Sequence, residues 1–271
     1  MKVLNRDELQ IAEGVLLKHL PKSYKVYGFL FGINRNKPTT LEVVVDTWPD
    51  FKVIICRLDT EVITIDFSLF SLQSRMSCHC CLQCVFCVPF LTRTSVSHTE
   101  IFKAVASAKG VPCKRVATCY LMTLEDVSRL PSVDSSGISI SSLDESHIGL
   151  VSQTWKFGKD DVAVGLIRNM IANFPSCCVL DAERKPVSWI LTYASCTIGM
   201  LYTLPEHRGK GYAKILVSSL AKRNHALGYP VYSFIEEENA VSYRLFANLG
   251  FTEDPSYREA WFRLNEFQIF Q

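Results

Sequence analysis

The stretch that most limits how this chain can fold is Leu201-Tyr-Thr-Leu-Pro-Glu-His-Arg-Gly-Lys-Gly-Tyr-Ala213. Thr197 to Thr203 reads as a strand leading into it, and Gly209 to Leu227 reads as a helix leaving it, stopped by Gly228. Gly209 and Gly211 carry no side chain, so the backbone between strand and helix can approach a ligand closely. The first helical turn leaves several N–H groups without internal acceptors. Together with the helix dipole, and with Arg208 and Lys210 adding positive charge, those donors suit a pyrophosphate.

The elements around this turn read as an α/β (α+β) chain. Asp7 to Leu20 has helical apolar spacing and ends at Pro21. Tyr24 to Ile33 and Leu41 to Val45 read as two strands joined by a turn at residues 34–38, with Phe51 to Cys56 as a third. Ile101 to Lys109 is helical and Val116 to Leu121 strand-like. Residues 131–143, rich in Ser, Asp and Gly, read as a linker between an N-terminal domain, 1–130, and a C-terminal domain, 144–271. After the linker come a helix to Trp155 capped by Asp144 or Ser146, a helix over Asp161 to Ala172, and strands at Cys177–Leu180, Val187–Tyr193 and Thr197–Thr203. A strand at Val231–Ile235, a helix at Ala240–Leu249 and a strand near Ala260–Leu264 follow the Gly-rich turn.

Composition narrows the function classes. A net charge of +2 over 271 residues, with 21% charged residues, lacks the clustered basic face of a nucleic-acid binder. No apolar run reaches the ~18 residues of a membrane span. The opening MKVLNRDELQ places Asp7 and Glu8 where a secretory signal needs apolar residues, and those acids also make it a poor mitochondrial presequence. Eleven cysteines without such a signal read as reduced thiols. The run Cys78-x₂-Cys81-x₂-Cys84-x₂-Cys87 approaches an iron–sulfur spacing but departs in its last interval, and no separated second pair completes a zinc site. No metal is expected.

Arg208, Gly211 and Ala213 match the R/Q-x-x-G-x-G/A signature, and the turn resembles that of the GCN5-related acetyltransferase superfamily. Asn239-Ala-Val-Ser-Tyr-Arg-Leu-Phe-Ala-Asn-Leu-Gly-Phe251 is similar to a second superfamily helix, with Ser242 in its small position. Ser146-His-Ile-Gly-Leu-Val-Ser-Gln-Thr-Trp-Lys-Phe-Gly158, Phe174-Pro-Ser-Cys-Cys178, Pro186-Val-Ser-Trp189 and Tyr202-Thr-Leu-Pro-Glu-His-Arg208 resemble the glycine N-acyltransferase family. So do Lys25-Val-Tyr-Gly28 and Val45-Asp-Thr-Trp-Pro-Asp-Phe51 in the first half. Residues 68–99 depart from the family.

The resemblance implies two acetyltransferase-like lobes, each a mixed sheet flanked by helices. It also implies direct transfer from acyl-CoA, a co-substrate and not a resident cofactor, to the amino group of glycine or glutamine. Leu201, Tyr202, Thr203, Arg208, Gly209, Lys210, Gly211, Tyr212 and Ala213 would hold the pantetheine and pyrophosphate. Asn239, Ser242 and Phe246 would flank the thiol end. A mitochondrial location is implied, with a cytoplasmic one as the alternative.

The family's base position falls on Thr197, which is no base at neutral pH, so Glu206 and Glu236 stand as the candidates to take the ammonium proton. His207 and Glu237 also sit near strand ends. Phe246 occupies the place of a Tyr that would protonate the leaving thiolate, and Tyr243 lies three residues earlier on the same helix. These departures leave two alternatives open, an acyl-CoA-binding paralogue without turnover and a polyamine or protein acetyltransferase. Trp48, Trp155 and Trp189 read as core, and Cys177-Cys178 as buried and not nucleophilic.

Overall fold

A computed structural model describes residues 1–58, 68–71, 90–130, 132, 136–158 and 160–264. The Cys78–Cys87 run lies outside them. The chain forms two compact units. One comprises residues 1–34, 39–121 and 254 onward, and the other residues 35–38 and 122–253.

The first unit contains β1 (Lys2–Val3), α1 (Arg6–Leu17), α2 (Tyr24–Asn34), β2 (Leu41–Val45), β3 (Val53–Leu58), β4 (Ser68–Ser71), β5 (Phe90–Ser95), α3 (Thr99–Ala108) and most of β6 (Cys113–Thr123). The second contains β7 (Ser139–Ser141), α4 (Ile148–Thr154), α5 (Asp161–Asn173), β8 (Ser176–Leu180), β9 (Pro186–Thr192), β10 (Ile198–Thr203), α6 (Tyr212–Ala226), β11 (Tyr232–Glu236) and α7 (Ala240–Asn248). The closing strand β12 (Thr252–Leu264) returns the chain to the first unit.

In the first unit, α1 starts where its sequence caps it. Asn5 Oδ1 accepts from the Glu8 N–H, and the Glu8 carboxylate accepts from the Asn5 N–H, both at 3.0 Å. The strands run in the order β1-β2-β3-β4-β5-β12-β6. Helix α3 packs Phe102, Val105 and Ala106 on Val53, Ile55, Phe262 and Leu264, with the Phe102 and Phe262 rings 5.0 Å apart. Lys25, on α2, donates from Nζ to Glu259 Oε1 on β12 at 2.7 Å, and Trp261 Nε1–H donates to Glu259 Oε2 at 3.0 Å. This ion pair is buried.

Three expectations are corrected here. Tyr24–Ile33, read as a strand, is helix α2, and Lys25 through Gly32 are all buried. A short apolar run buried on every side carries no period, so its aromatic content suggested the wrong element. The expected linker contains β7, which pairs antiparallel with β8 through Ile140↔Val179, and the units divide near residues 121 and 253 instead. Small polar residues suit an edge strand as well as a linker. The last strand is also longer than Ala260–Leu264.

The second unit is built on the antiparallel sheet β10-β9-β8-β7. Side chains alternate across it. Trp189, Leu191 and Tyr193 join Val151 of α4 and Ile167, Met170 and Ile171 of α5 in one cluster. From the opposite face, Thr192 meets α6, where Asn224 Nδ2 donates to its hydroxyl at 3.0 Å. Asp144 and Asp160 cap the helical segments ahead of α4 and at α5, as their positions suggested.

Candidate active site

Strands β10 and β11 are joined by the crossover helix α6 and run in the same direction. Near their starts the Ser233 hydroxyl donates to the Ile198 carbonyl at 2.8 Å. Beyond that contact they share no ladder, because β10 is the edge of its own sheet and β11 belongs to another. The result is a cleft that opens toward the C-terminal ends of both strands.

One wall of the cleft is bent. The β10–β9 register shifts between Gly199 and Tyr202, a bulge that takes Met200 and Leu201 out of the ladder. Met200 has φ +51°, which is left-handed for a residue with a Cβ. Glycine is required beside it, since a Cβ at Gly199 would lie 2.7 Å from the Tyr193 ring. Tyr202 stacks on Trp189 with centroids 5.5 Å apart. A small apolar pocket lies beside the bulge, lined by Val151, Thr154, Trp155, Trp189, Met200, Leu201 and Tyr202. Trp189 is core as expected, but Trp155 is only half-buried and forms the pocket wall.

At the open end, the Gly-rich turn has the predicted form. Gly209 and Gly211 have φ of +75° and +78°, and Gly211 is the N-cap of α6 without any side-chain capping bond. Among the described residues, the amides of residues 209–213 have no protein acceptor, which leaves a row of donors at a helix N-terminus. Arg208 is held over the turn. Its Nε–H donates to the Thr203 carbonyl at 3.0 Å and its guanidinium lies 5.6 Å from the Tyr202 ring centroid. Lys210 is exposed beside it, and Tyr212 and Ala213 form the first turn of the helix. Backbone donors at a helix N-terminus beside positive charge make an arrangement suited to an anion.

The two carboxylate candidates lie in different places. Glu206 is exposed in the turn before Arg208, at the phosphate end. Glu236 ends β11. It lies three residues beyond Ser233, the residue whose hydroxyl reaches Ile198 of β10. Its Oε2 accepts from Lys156 Nζ at 2.6 Å. His207 is half-buried in the same turn as Glu206, and Glu237 follows Glu236 on the exposed side.

Thr197 is buried, and its hydroxyl is hydrogen-bonded to that of Ser195 at 2.9 Å. The Ser195 carbonyl in turn accepts from Tyr232. On α7, Asn239 caps the helix by accepting from the Ser242 N–H at 3.0 Å, so its side chain is used by the fold. Ser242 is half-buried. Phe246 is buried edge-on against Phe251 at 4.9 Å, which makes it packing for the helix and not a group exposed to the cleft. Tyr243 donates its hydroxyl to Glu253 Oε2 at 2.8 Å. Burial raises the Cys177 thiol and pushes Cys178 up to about 11, so neither is a nucleophile near neutral pH.

Among the described residues, no cluster of three His, Cys, Asp or Glu side chains could hold a metal, and no helix is long and apolar enough to cross a membrane. The family model for aralkyl acyl-CoA:amino acid N-acyltransferase matches residues 1–175, and the model for its C-terminal region matches residues 177–264. The chain belongs to this N-acyltransferase family.

Curated relatives agree along nearly the full length. The glycine N-acyltransferases of Bos taurus and Homo sapiens are each 28% identical over 282 residues, which is 93% of this chain and 95% of theirs. A glycine N-phenylacetyltransferase of Bos taurus aligns equally well. Among solved structures, a Drosophila protein superposes with a TM-score of 0.79 at 16% identity, covering 97% of each chain. A tandem GNAT protein from the clavulanic acid pathway superposes at 0.56 and 15% identity, covering 97% of this chain and 96% of its own. These neighbours carry the fold, that of the GCN5-related acetyltransferases. In this N-acyltransferase, an acyl-CoA-dependent transferase, the strand β10 and the Gly-rich turn before α6 are formed as the sequence pattern predicts. The exposed Lys156 and the bulge at Met200 were not anticipated.

Proposed function

We propose that the protein transfers an acyl group from acyl-CoA to the amino group of glycine or glutamine. The observation that carries this reading is β10 itself, whose bulge borders an apolar pocket and whose C-terminal end leads into a row of backbone donors at residues 209–213. The pyrophosphate binds the turn, pantetheine lies along Leu201, Tyr202 and Thr203, and the acyl group enters the pocket beside Trp155 and Met200. Glu236, at the end of β11, takes the proton from the ammonium ion. The free amine then attacks the thioester carbonyl, forming the C–N bond, and the bulge amides of Met200 and Leu201 face the oxyanion. The C–S bond breaks, and coenzyme A leaves as a thiolate that gains one proton.

Relatives named for glycine acylation support glycine as acceptor. A mitochondrial location is part of the same proposal, and imaging of the tagged full chain against a mitochondrial marker checks it. The test of activity is thiol release by purified protein, screening acetyl-, benzoyl- and long-chain acyl-CoA against glycine, glutamine and a polyamine. Release that needs both an acyl-CoA and an amino acid bears the reading out. Calorimetric binding of acyl-CoA with no acceptor-dependent release favours a binding protein instead, a reading motivated by the buried, hydrogen-bonded Thr197 hydroxyl. Release with the polyamine alone points to a different acceptor class.

A further inference from the structure

The Lys156–Glu236 pair spans two segments that are 80 residues apart in sequence. Lys156 directly follows Trp155, a wall of the apolar pocket that Met200 and Leu201 of the bulge also line, and Glu236 ends β11. On the acyltransferase reading, the pair stands next to the pocket that takes the acyl group. Its members are accessible, with side chains 56% and 27% exposed. The loop bearing Lys156 is held in place. Gly158 N–H donates to the Trp155 carbonyl at 2.9 Å, and a Cβ at Gly158 would fall 1.9 Å from the Ser152 carbonyl oxygen. The ammonium of Lys156 is thus presented by a fixed turn and not by a loose strand of chain.

An exposed ion pair holds its partners weakly, because water competes for both charges. A ligand that offers each partner an opposite charge can replace it with little loss. An amino acid is such a ligand, since its zwitterion carries a carboxylate and an ammonium on the same α-carbon. We propose that Lys156 and Glu236 form the acceptor amino-acid site. The acceptor carboxylate takes the place of Glu236 on Lys156, and the acceptor ammonium comes to Glu236, with its nitrogen facing the bulge. Lys156 is then the residue that selects amino acids over simple amines. This inference rests on the acyltransferase reading above and adds the residue that recognises the acceptor.

The test compares wild type, Lys156→Gln and Lys156→Arg with benzoyl-CoA and two acceptors, glycine and glycinamide, which lacks the carboxylate; glutamine is run in parallel with glycine. In wild type, kcat/KM for glycine exceeds that for glycinamide. Lys156→Gln raises the KM for glycine about tenfold or more and removes most of that preference, because a charged hydrogen bond is lost. It leaves the KM for benzoyl-CoA unchanged. Lys156→Arg retains the preference. Three results overturn the inference while leaving the acyltransferase reading intact: equal use of glycine and glycinamide by wild type, an unchanged glycine KM in Lys156→Gln, or an equal rise in both KM values. No transfer by wild type to any amino acid removes the acyltransferase reading itself, and this inference with it.

Discussion

Each compact unit contains a lysine–glutamate pair of nearly the same length, and the two differ in what surrounds them. Lys25 and Glu259 are 2.7 Å apart with side chains 7% and 1% exposed, and Glu259 also accepts from Trp261. Lys156 and Glu236 are 2.6 Å apart but stay in contact with water at the mouth of a cleft. Removing one partner of a buried pair strands a charge in a medium that cannot solvate it. Removing one partner of an exposed pair costs little, since water takes its place. Distance alone does not reveal what an ion pair is for. Burial makes the first pair part of the fold, and exposure makes the second available to a ligand.

The strongest way to break the contrast is Glu236→Gln. If this carboxylate takes the ammonium proton, kcat falls about 10²- to 10⁴-fold. Thermal melting of the same variant moves little, as the lost pair is worth about 0–1 kcal/mol. Activity within a few-fold of wild type would move proton transfer elsewhere and leave both pairs as structural features.

Lys25→Met tests the other half. It should lower stability by about 3–5 kcal/mol in urea unfolding, through the uncompensated Glu259 carboxylate. Lys25→Met combined with Glu259→Leu should recover most of the loss, because an apolar pair of similar volume avoids the stranded charge. A single variant as stable as wild type would show that the buried charge is neutralised some other way.

The two pairs also differ in how far sequence could foretell them. The turn at residues 208–213 was legible because all its determinants are contiguous: a strand, an Arg, two glycines at positive φ and a helix. Glu236 was legible only as a strand-end carboxylate. Lys156 was invisible, since its significance comes from a partner 80 residues away. The same holds for Lys25, which lay in a segment read as a strand and meets Glu259 across 234 residues. Met200 gave no signal either, as nothing local marks a left-handed Met until Tyr193 is seen to exclude a Cβ at Gly199. Local pattern thus disclosed the Gly-rich turn, and tertiary packing supplied the Lys156–Glu236 pair.

A smaller effect is expected at the phosphate end. Gly211→Val places a β-branched residue at φ +78°, where the left-handed conformation costs about 1–2 kcal/mol. If the turn relaxes to avoid that strain, its amides lose their alignment, and the Kd for acyl-CoA should rise about tenfold. The KM for glycine should not change, which separates the phosphate end from the acceptor end. Calorimetry with benzoyl-CoA and kinetics with glycine read the two independently. A rise in both would mean the cleft responds as one body.

The smallest effect concerns Tyr243, the hydroxyl nearest in sequence to the place where a thiolate-protonating residue was sought. Its proton is directed at Glu253, a carboxylate on the opening residues of β12. A hydrogen bond to a charged acceptor is worth about 1.5–3 kcal/mol, more than a thiolate leaving from a distance offers in exchange. The leaving group also needs little help, since a thiol of pKa about 8.5 departs readily as its anion. Tyr243→Phe should therefore cost stability, measured by urea unfolding, and change kcat by no more than about twofold. It should leave the pH–rate profile unchanged. A loss of the alkaline limb of that profile would instead identify Tyr243 as the acid that protonates the departing thiolate. Tyr243 would then join Glu236 as an exchangeable partner, and the contrast between groups held by the fold and groups open to a ligand would have to be redrawn within α7 itself.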